Sequence, residues 1–353
     1  MINNPYFVKL DKLYSKVPTI NITNDDKIVI FSDLHLGNAT RKDDFFGNSE
    51  DFMNILENYY LKRDYKLILN GDIEDLYKFS LNRIIKSWGR VYEIFDKFAE
   101  KENLFKIVGN HDNDLYLFKK PDVNKNLLHG LKLSYNDNTI FIYHGHQCSN
   151  YLEGYNSISF YFIRCIASPI GYSNATLSID NKKKLKTEER AYEYSAQNKI
   201  ISIIGHTHRA LFESLSKIDT LNMKIERLIQ KYAKVKPEKQ EKIVQYINRY
   251  KEELQHWHSK HDDYNLRNSI YNEKILVPCL FNSGSTTGKR GMNCIEIKNG
   301  KISLIYWFDK NKSQRYLDYK GVHVKQFGET DLMKATIKRQ TLDYVFNRIN
   351  LLS

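Results

Sequence analysis

Short apolar runs recur along the chain, separated by segments with helical spacing. Residues 27–32, 66–70, 104–108, 139–143 and 200–204 are apolar at most positions. A strand buried on both faces reads this way, whereas a half-exposed strand alternates. Between the early runs, Phe52, Ile55, Leu56 and Tyr59 fall on one face of a helix predicted over residues 49–61. Ser49 is its expected N-cap, and Glu50 and Asp51 suit the first turn, where carboxylates complement the helix dipole. A second helix is predicted over residues 81–99. Strand–helix alternation argues α/β layers. Later strands are predicted at residues 275–282, 292–297 and 301–308, and Asn299-Gly300 gives the last two a tight hairpin turn. An antiparallel end on a parallel beginning predicts a mixed two-sheet sandwich flanked by helices, rather than a doubly wound sheet.

One segment reads as an insertion. Leu221, Ile225, Leu228, Tyr232 and Val235 share a helical seam, and Ile243, Ile247, Tyr250, Leu254 and Trp257 repeat the spacing. Pro237 lies between them, where it ends one helix and starts the next. The expected organisation is a main domain over residues 1–320, a helical hairpin inserted at residues 215–272, and a helical tail over residues 321–353. The seams read most simply as packing on each other, with oligomer contact as the alternative.

Composition narrows the picture modestly. The 353 residues, 41% of them hydrophobic, can bury a large core. The net charge of +12 favours anionic partners, whether phosphate esters, nucleic acid or anionic lipid. Cys148, Cys165, Cys279 and Cys294 form no C-x-x-C pair and read as reduced thiols of a cytoplasmic protein. The first residues lack a signal-peptide core, and the most apolar stretch, residues 158–170, is interrupted by Arg164 and Pro169, so no transmembrane span is expected.

The chemistry lies in five motifs, each directly following a predicted strand. They are Asp33-Leu34-His35, Asn70-Gly71-Asp72, Gly109-Asn110-His111-Asp112, His144-Gly145-His146 and Gly205-His206-Thr207-His208. Each alone is weak, but five in succession are specific, because ligands in α/β sheets bind at the carboxyl ends of strands. A phosphoester is anionic and water attacks it poorly. Two divalent ions, typically about 3.5–4 Å apart, neutralise phosphate oxygens and lower the pKa of a water nucleophile. Such a pair needs neutral imidazoles and a carboxylate to bridge. Asp33, His35, Asp72, Asn110, His144, His206 and His208 supply that set.

This pattern resembles the calcineurin-like metallophosphoesterases, over roughly residues 27–308 without the insertion. The resemblance implies a two-sheet sandwich. It implies one metal on Asp33, His35, Asp72 and His208, and another on Asp72, Asn110, His144 and His206, with manganese the first expectation and iron or zinc the alternatives. His111 would be the general acid or phosphate-binding group, oriented by Asp112. Phe281-Asn282-Ser283-Gly284-Ser285 is similar to the family's late strand-end element beside the site. Ser32-Asp33-Leu34-His35-Leu36-Gly37 and Gly71-Asp72-Ile73-Glu74-Asp75-Leu76 are similar to the bacterial branch that includes UDP-2,3-diacylglucosamine pyrophosphatase, although that branch typically has Arg where this chain has His111.

Other histidines and charges carry blander readings. His146 is the alternative to His144 as ligand, or else a substrate-side group. Asp75 reads as a solvated carboxylate or one bordering the site. His256, His258 and His261 read as solvated positions at a helix end. Lys182–Lys184 with Lys186 read as a solvated surface, otherwise an anion-binding edge. Residues 158–163 read as a buried helix, otherwise the lining of an acyl cleft. The function expected is hydrolysis of an anionic phosphoester substrate. A lipid-precursor pyrophosphate hydrolase and a nuclease are the alternatives, although no compact basic–aromatic patch indicates nucleic acid. A non-catalytic scaffold is disfavoured by the complete ligand set.

Overall fold

The predicted strands are rich in isoleucine, and the direction each side chain takes decides the layers. The computed structural model describes residues 5–118, 126–149, 181–214, part of 221–235, 237–260, 276–314, 316–317 and 322–353. One sheet holds β2 (Lys27–Phe31), β3 (Lys66–Asn70), β4 (Leu104–Ile107) and β5 (Leu127–Leu128) as parallel neighbours. It continues antiparallel from β2 into β10 (Met292–Lys298), β11 (Lys301–Asp309), β13 (Leu332–Thr341) and β12 (His323–Gln326). The other sheet runs β1 (Thr19–Asn21), β6 (Leu131–Tyr135), β7 (Asn138–Ile142), β8 (Ile201–Ile204) and β9 (Leu280–Asn282), with β7, β8 and β9 parallel.

Alternation then sorts the residues. Ile28, Ile30, Ile68 and Ile107 of the first sheet meet Leu133, Ile140, Ile142, Ile201 and Ile203 of the second in a shared core. Val29, Phe31, Leu67 and Leu69 point the other way, onto the helices formed by residues 49–63 and 81–100. Phe141, Tyr143, Ile204 and Leu280 cover the outer face of the second sheet, together with helix α1 (Pro5–Lys16), which the sequence pattern did not announce. The architecture is the expected two-sheet sandwich flanked by helices. Each fully buried large aliphatic contributes about 1.5–3 kcal/mol.

Several local expectations need correction. The first predicted helix begins with α2 (Ser49–Asn54) and passes through a widened turn at Ile55–Tyr60. Ser49 does not cap it: residue 49 is already helical (φ −59°, ψ −47°), and its Oγ donates backward to the Phe46 carbonyl at 2.9 Å. The second predicted helix is two, α3 (Leu81–Ser87) and α4 (Gly89–Glu100), broken at Trp88. There the indole donates to Asp43 at 2.9 Å, and the poor helix former Gly89 follows.

The C-terminal tail is not helical throughout. Residues 332–341 form β13, which covers the edge that β11 would otherwise expose. Among its described residues only α7 (Leu342–Leu352) is helix, started where Thr341 Oγ1 accepts from the Tyr344 amide. The strand predicted from residue 275 begins at Leu280.

In the segment expected to be an insertion, α6 spans Pro237–Lys260. Leu221, Ile225 and Leu228 pack with Tyr246, Tyr250 and Leu254, joined by Tyr316 and Val322 from later in the chain. Cys148, Cys279 and Cys294 are buried free thiols. Among the described residues, no helix is long and apolar enough to cross a membrane. Cys165, His261 and residues 158–170 lie outside the described residues, as do the side chains of Lys182, His256 and His258.

Candidate metal centre

All five motifs sit at or just past the carboxyl ends of β2, β3, β4, β7 and β8. The loops after β2 and β3 keep pairing beyond the strands: the Asp33 amide donates to the Gly71 carbonyl, His35 to Asp72, and Leu36 to Ile73, at 2.7–3.0 Å. This zipper holds Asp33, His35 and Asp72 in register. Five expected ligands have left-handed backbones: Asp33 (φ 56°), His35 (53°), Asp72 (53°), His206 (63°) and His208 (57°). Asp and His are among the few side chains that tolerate this region. Two glycines are required by close approach. A side chain at Gly109 would collide with the Asp72 carboxylate, and one at Gly71 with the His144 ring.

The side chains converge in two groups. In the first, His208 Nε2 lies 3.1 Å from Asp33 Oδ1 and 3.1 Å from His35 Nε2. In the second, His144 Nε2 lies 3.1 Å from Asp72 Oδ2, and His206 completes the group. Asp72 Oδ2 is also 4.0 Å from His35 Nε2 and from His111 Nε2, so one carboxylate oxygen faces both groups. The His144 Nδ1–H donates to the Asn70 carbonyl at 2.8 Å, which turns its Nε2 inward. That Nε2 and Asn110 Oδ1 are buried without a well-aligned hydrogen-bond partner. Burial first, and then the charges of neighbouring imidazoles, push His35 down to about 4 and His206 down to about 3. Both rings therefore stay neutral with a lone pair to give. Burial alone would also depress His144, but the Asp72 carboxylate outweighs it and raises this ring to about 10. Neutral ring nitrogens, carboxylate oxygens and an orphaned amide oxygen are a donor set that fits divalent transition metals.

His146 is not in either group. Its ring is 5.5 Å from that of His144 and 6.4 Å from that of His206, which suits the substrate-side reading better than the ligand one.

The partner expected for His111 needs correction. Its Nδ1–H donates to Asp75 Oδ1 at 2.9 Å, while Lys78 pairs with the other Asp75 oxygen at 3.1 Å. Asp75 is 1% exposed and is not solvated. Asp112 faces elsewhere: its carboxylate accepts from the Gly109 and Ile73 amides, at 2.6 Å each, and clamps the third loop to the second. Burial, with Asp72 and Glu74 nearby, raises Asp112 to about 7. The signal for Asp75 was its position three residues after Asp72 in the same loop.

Beyond the ligands, Asn282 Nδ2 donates to the Gly205 carbonyl and to Thr207 Oγ1, and Ser285 and Thr286 donate to the Asp33 carbonyl. The late strand-end element thus braces two ligand loops. Glu188, on α5 (Asn181–Gln197), accepts from Thr207 Oγ1 at 2.7 Å and pairs with Arg209 at 3.2 Å. Lys183 and Lys186 are exposed as expected, whereas Lys184 is half-buried. Its pKa is lowered by burial and then by Arg209, against the opposing charges of Asp33 and Glu188.

The family model for calcineurin-like phosphoesterases matches residues 26–211. Two similar solved structures are a single mutant of Vps29 from Entamoeba histolytica and Vacuolar Protein Sorting 29 from Cryptosporidium parvum. The first is 11% identical, with 81% of this chain and 94% of that one covered at a TM-score of 0.34. The second is 8% identical, with 90% and 100% covered at a TM-score of 0.36. No curated protein matches the chain. The family match spans more than half of the sequence and contains all five strand-end motifs, and the chain belongs to the calcineurin-like phosphoesterase family.

Proposed function

We propose that the protein is a hydrolase of phosphoester bonds that works with two divalent ions. The family implies metal-dependent phosphoester hydrolysis. Asp33, His35, Asp72 and His208 would hold one ion, and Asp72, Asn110, His144 and His206 the other. Manganese is the first choice for this mixed nitrogen and oxygen set, with iron or zinc the alternatives. The observation that carries the reading is Asp72, whose Oδ2 faces His144 at 3.1 Å and His35 at 4.0 Å. When bound, the ions supply charge neutralisation of the phosphate and activation of a water for attack.

The chain's own residues account for the rest. His111 is fixed through Nδ1 by Asp75, so its Nε2 faces the cluster. Burial would lower its pKa, but the charges of Asp72 and Asp75 raise it, which favours the protonated ring. It can therefore give a proton to the leaving oxygen. The Asp112 clamp and the Asn282 bridges keep the ligand loops in place while substrate binds.

The test is a panel of phosphomonoesters, phosphodiesters, pyrophosphates and a UDP-linked lipid precursor, assayed on metal-stripped protein with and without manganese. At least one class should turn over only with metal. Full activity in excess chelator would overturn the proposal. DNA and RNA belong in the same panel, where salt-sensitive cleavage would favour a nuclease.

A further inference from the structure

A cleft of about 380 Å³ lies on the second sheet's side of the site, within the size range of small-ligand pockets. Lys9, Lys12 and Lys16 of α1 line it, and their spacing puts them on one helix face. Leu13, His129, His146, Gln147 and Ser149 line the rest. Among the described residues no carboxylate lines it. Its walls are tied together rather than loosely apposed. The Arg190 guanidinium sits 3.6 Å from the ring centre of Tyr6 on α1 and donates to the Cys148 carbonyl at 2.8 Å, in the turn His146–Cys148.

His146 joins this cleft to the metal centre. It is 91% buried, its ring packs 5.5 Å from that of His144, and its Nδ1 has no hydrogen-bond partner among the described residues. Three lysines on an open helix face would be an ordinary solvated surface. Here they form one wall of a concave space whose lining includes His146, and the His146 ring packs against that of the candidate ligand His144. Like charges held together around a cleft focus positive potential there.

We propose that this cleft is a second anion subsite, which takes a phosphate group of the substrate other than the one being hydrolysed. The inference rests on the phosphoester reading and narrows it: the substrate is a diphosphate or longer phosphate chain, or its ester, rather than an isolated monoester. The lysines bind the distal phosphate, and His146 lies on the path between it and the reacting one.

The test is calorimetric titration of the full chain with tripolyphosphate and with orthophosphate at low ionic strength in metal-free buffer. Tripolyphosphate should bind at least roughly tenfold more tightly, about 1.4 kcal/mol. Lys9→Ala/Lys12→Ala/Lys16→Ala should erase that difference, yet leave the melting temperature and metal-dependent hydrolysis of nitrophenyl phosphate within about twofold. A control variant, Lys62→Ala/Lys199→Ala/Lys301→Ala, removes equal charge from elsewhere on the surface and should bind like wild type. Equal loss in the control would mean diffuse attraction to a basic protein and would overturn the subsite. So would equal affinity of wild type for the two anions. Failure of the catalytic reading looks different: no hydrolysis of any ester, with lysine-dependent tripolyphosphate binding intact.

Discussion

Asp72 is shared between two groups of ligands, so its loss should be felt twice. Asp72→Ala is expected to abolish activity, and elemental analysis should find fewer than one metal per chain; retention of two metals would show that the bridge is elsewhere. For His111 the expectation is different, because no metal depends on it in this reading. His111→Ala should keep two metals and lose turnover by about 10²–10⁴-fold, the usual contribution of a general acid. The loss should shrink for nitrophenyl esters, whose leaving group needs no proton. A loss independent of the leaving group would make His111 a phosphate-positioning residue instead. The candidate ligands were legible because each follows a strand directly, and strand ends are where an α/β sheet collects its chemistry. The partner of His111 was not. Asp75 and Asp112 lie at similar sequence distances from ligands, and only the packed loops decide which carboxylate turns toward the ring and which toward backbone amides.

At the scale of elements, runs apolar at nearly every position were the reliable signal, since burial on both faces leaves few other readings for β2, β3 and β8. Boundaries set by single contacts were not. Trp88 breaks a helix through its bond to Asp43, 45 residues away in sequence. Residues 332–341 show mixed polarity that suits a helix, but the free edge of β11 recruits them as a strand. The helical segment over residues 221–260 shows the same mixture of local and distant control. Its seams pack on one another, with Tyr316 and Val322 against them. We propose that it is a separable insertion. Deleting residues 221–257 with a short Gly-Ser link should leave a core that unfolds cooperatively and binds metal, because closing a longer or shorter surface loop changes stability little. Calorimetry that shows a broad, non-cooperative transition would mean that the core needs the segment.

For the whole molecule, metal binding and stability are linked, because the unfolded chain cannot assemble ligands drawn from five strand ends. At free metal about 100 times its Kd, the linkage amounts to about 2.7 kcal/mol per site. Chelation should therefore lower the melting temperature by several degrees in scanning calorimetry, and readdition of manganese should restore it. An unchanged melting temperature would mean that the donors do not bind metal in the native state. The left-handed backbones of Asp33, His35, Asp72, His206 and His208 bear on the lineage as well as on the molecule. Each such residue costs on the order of 1 kcal/mol, a cost tolerated only while its side chain is useful. A descendant freed from selection for hydrolysis would gain stability by drifting to glycine at these positions. Decay of the site would then be favoured by folding rather than merely permitted. His208 offers a measurement if its pairing with the buried Asp33, at 3.1 Å, is cancelled by comparing two variants that both lose it. His208→Gly should melt higher than His208→Ala when both are free of metal, because only the glycine is unstrained at this φ of 57°.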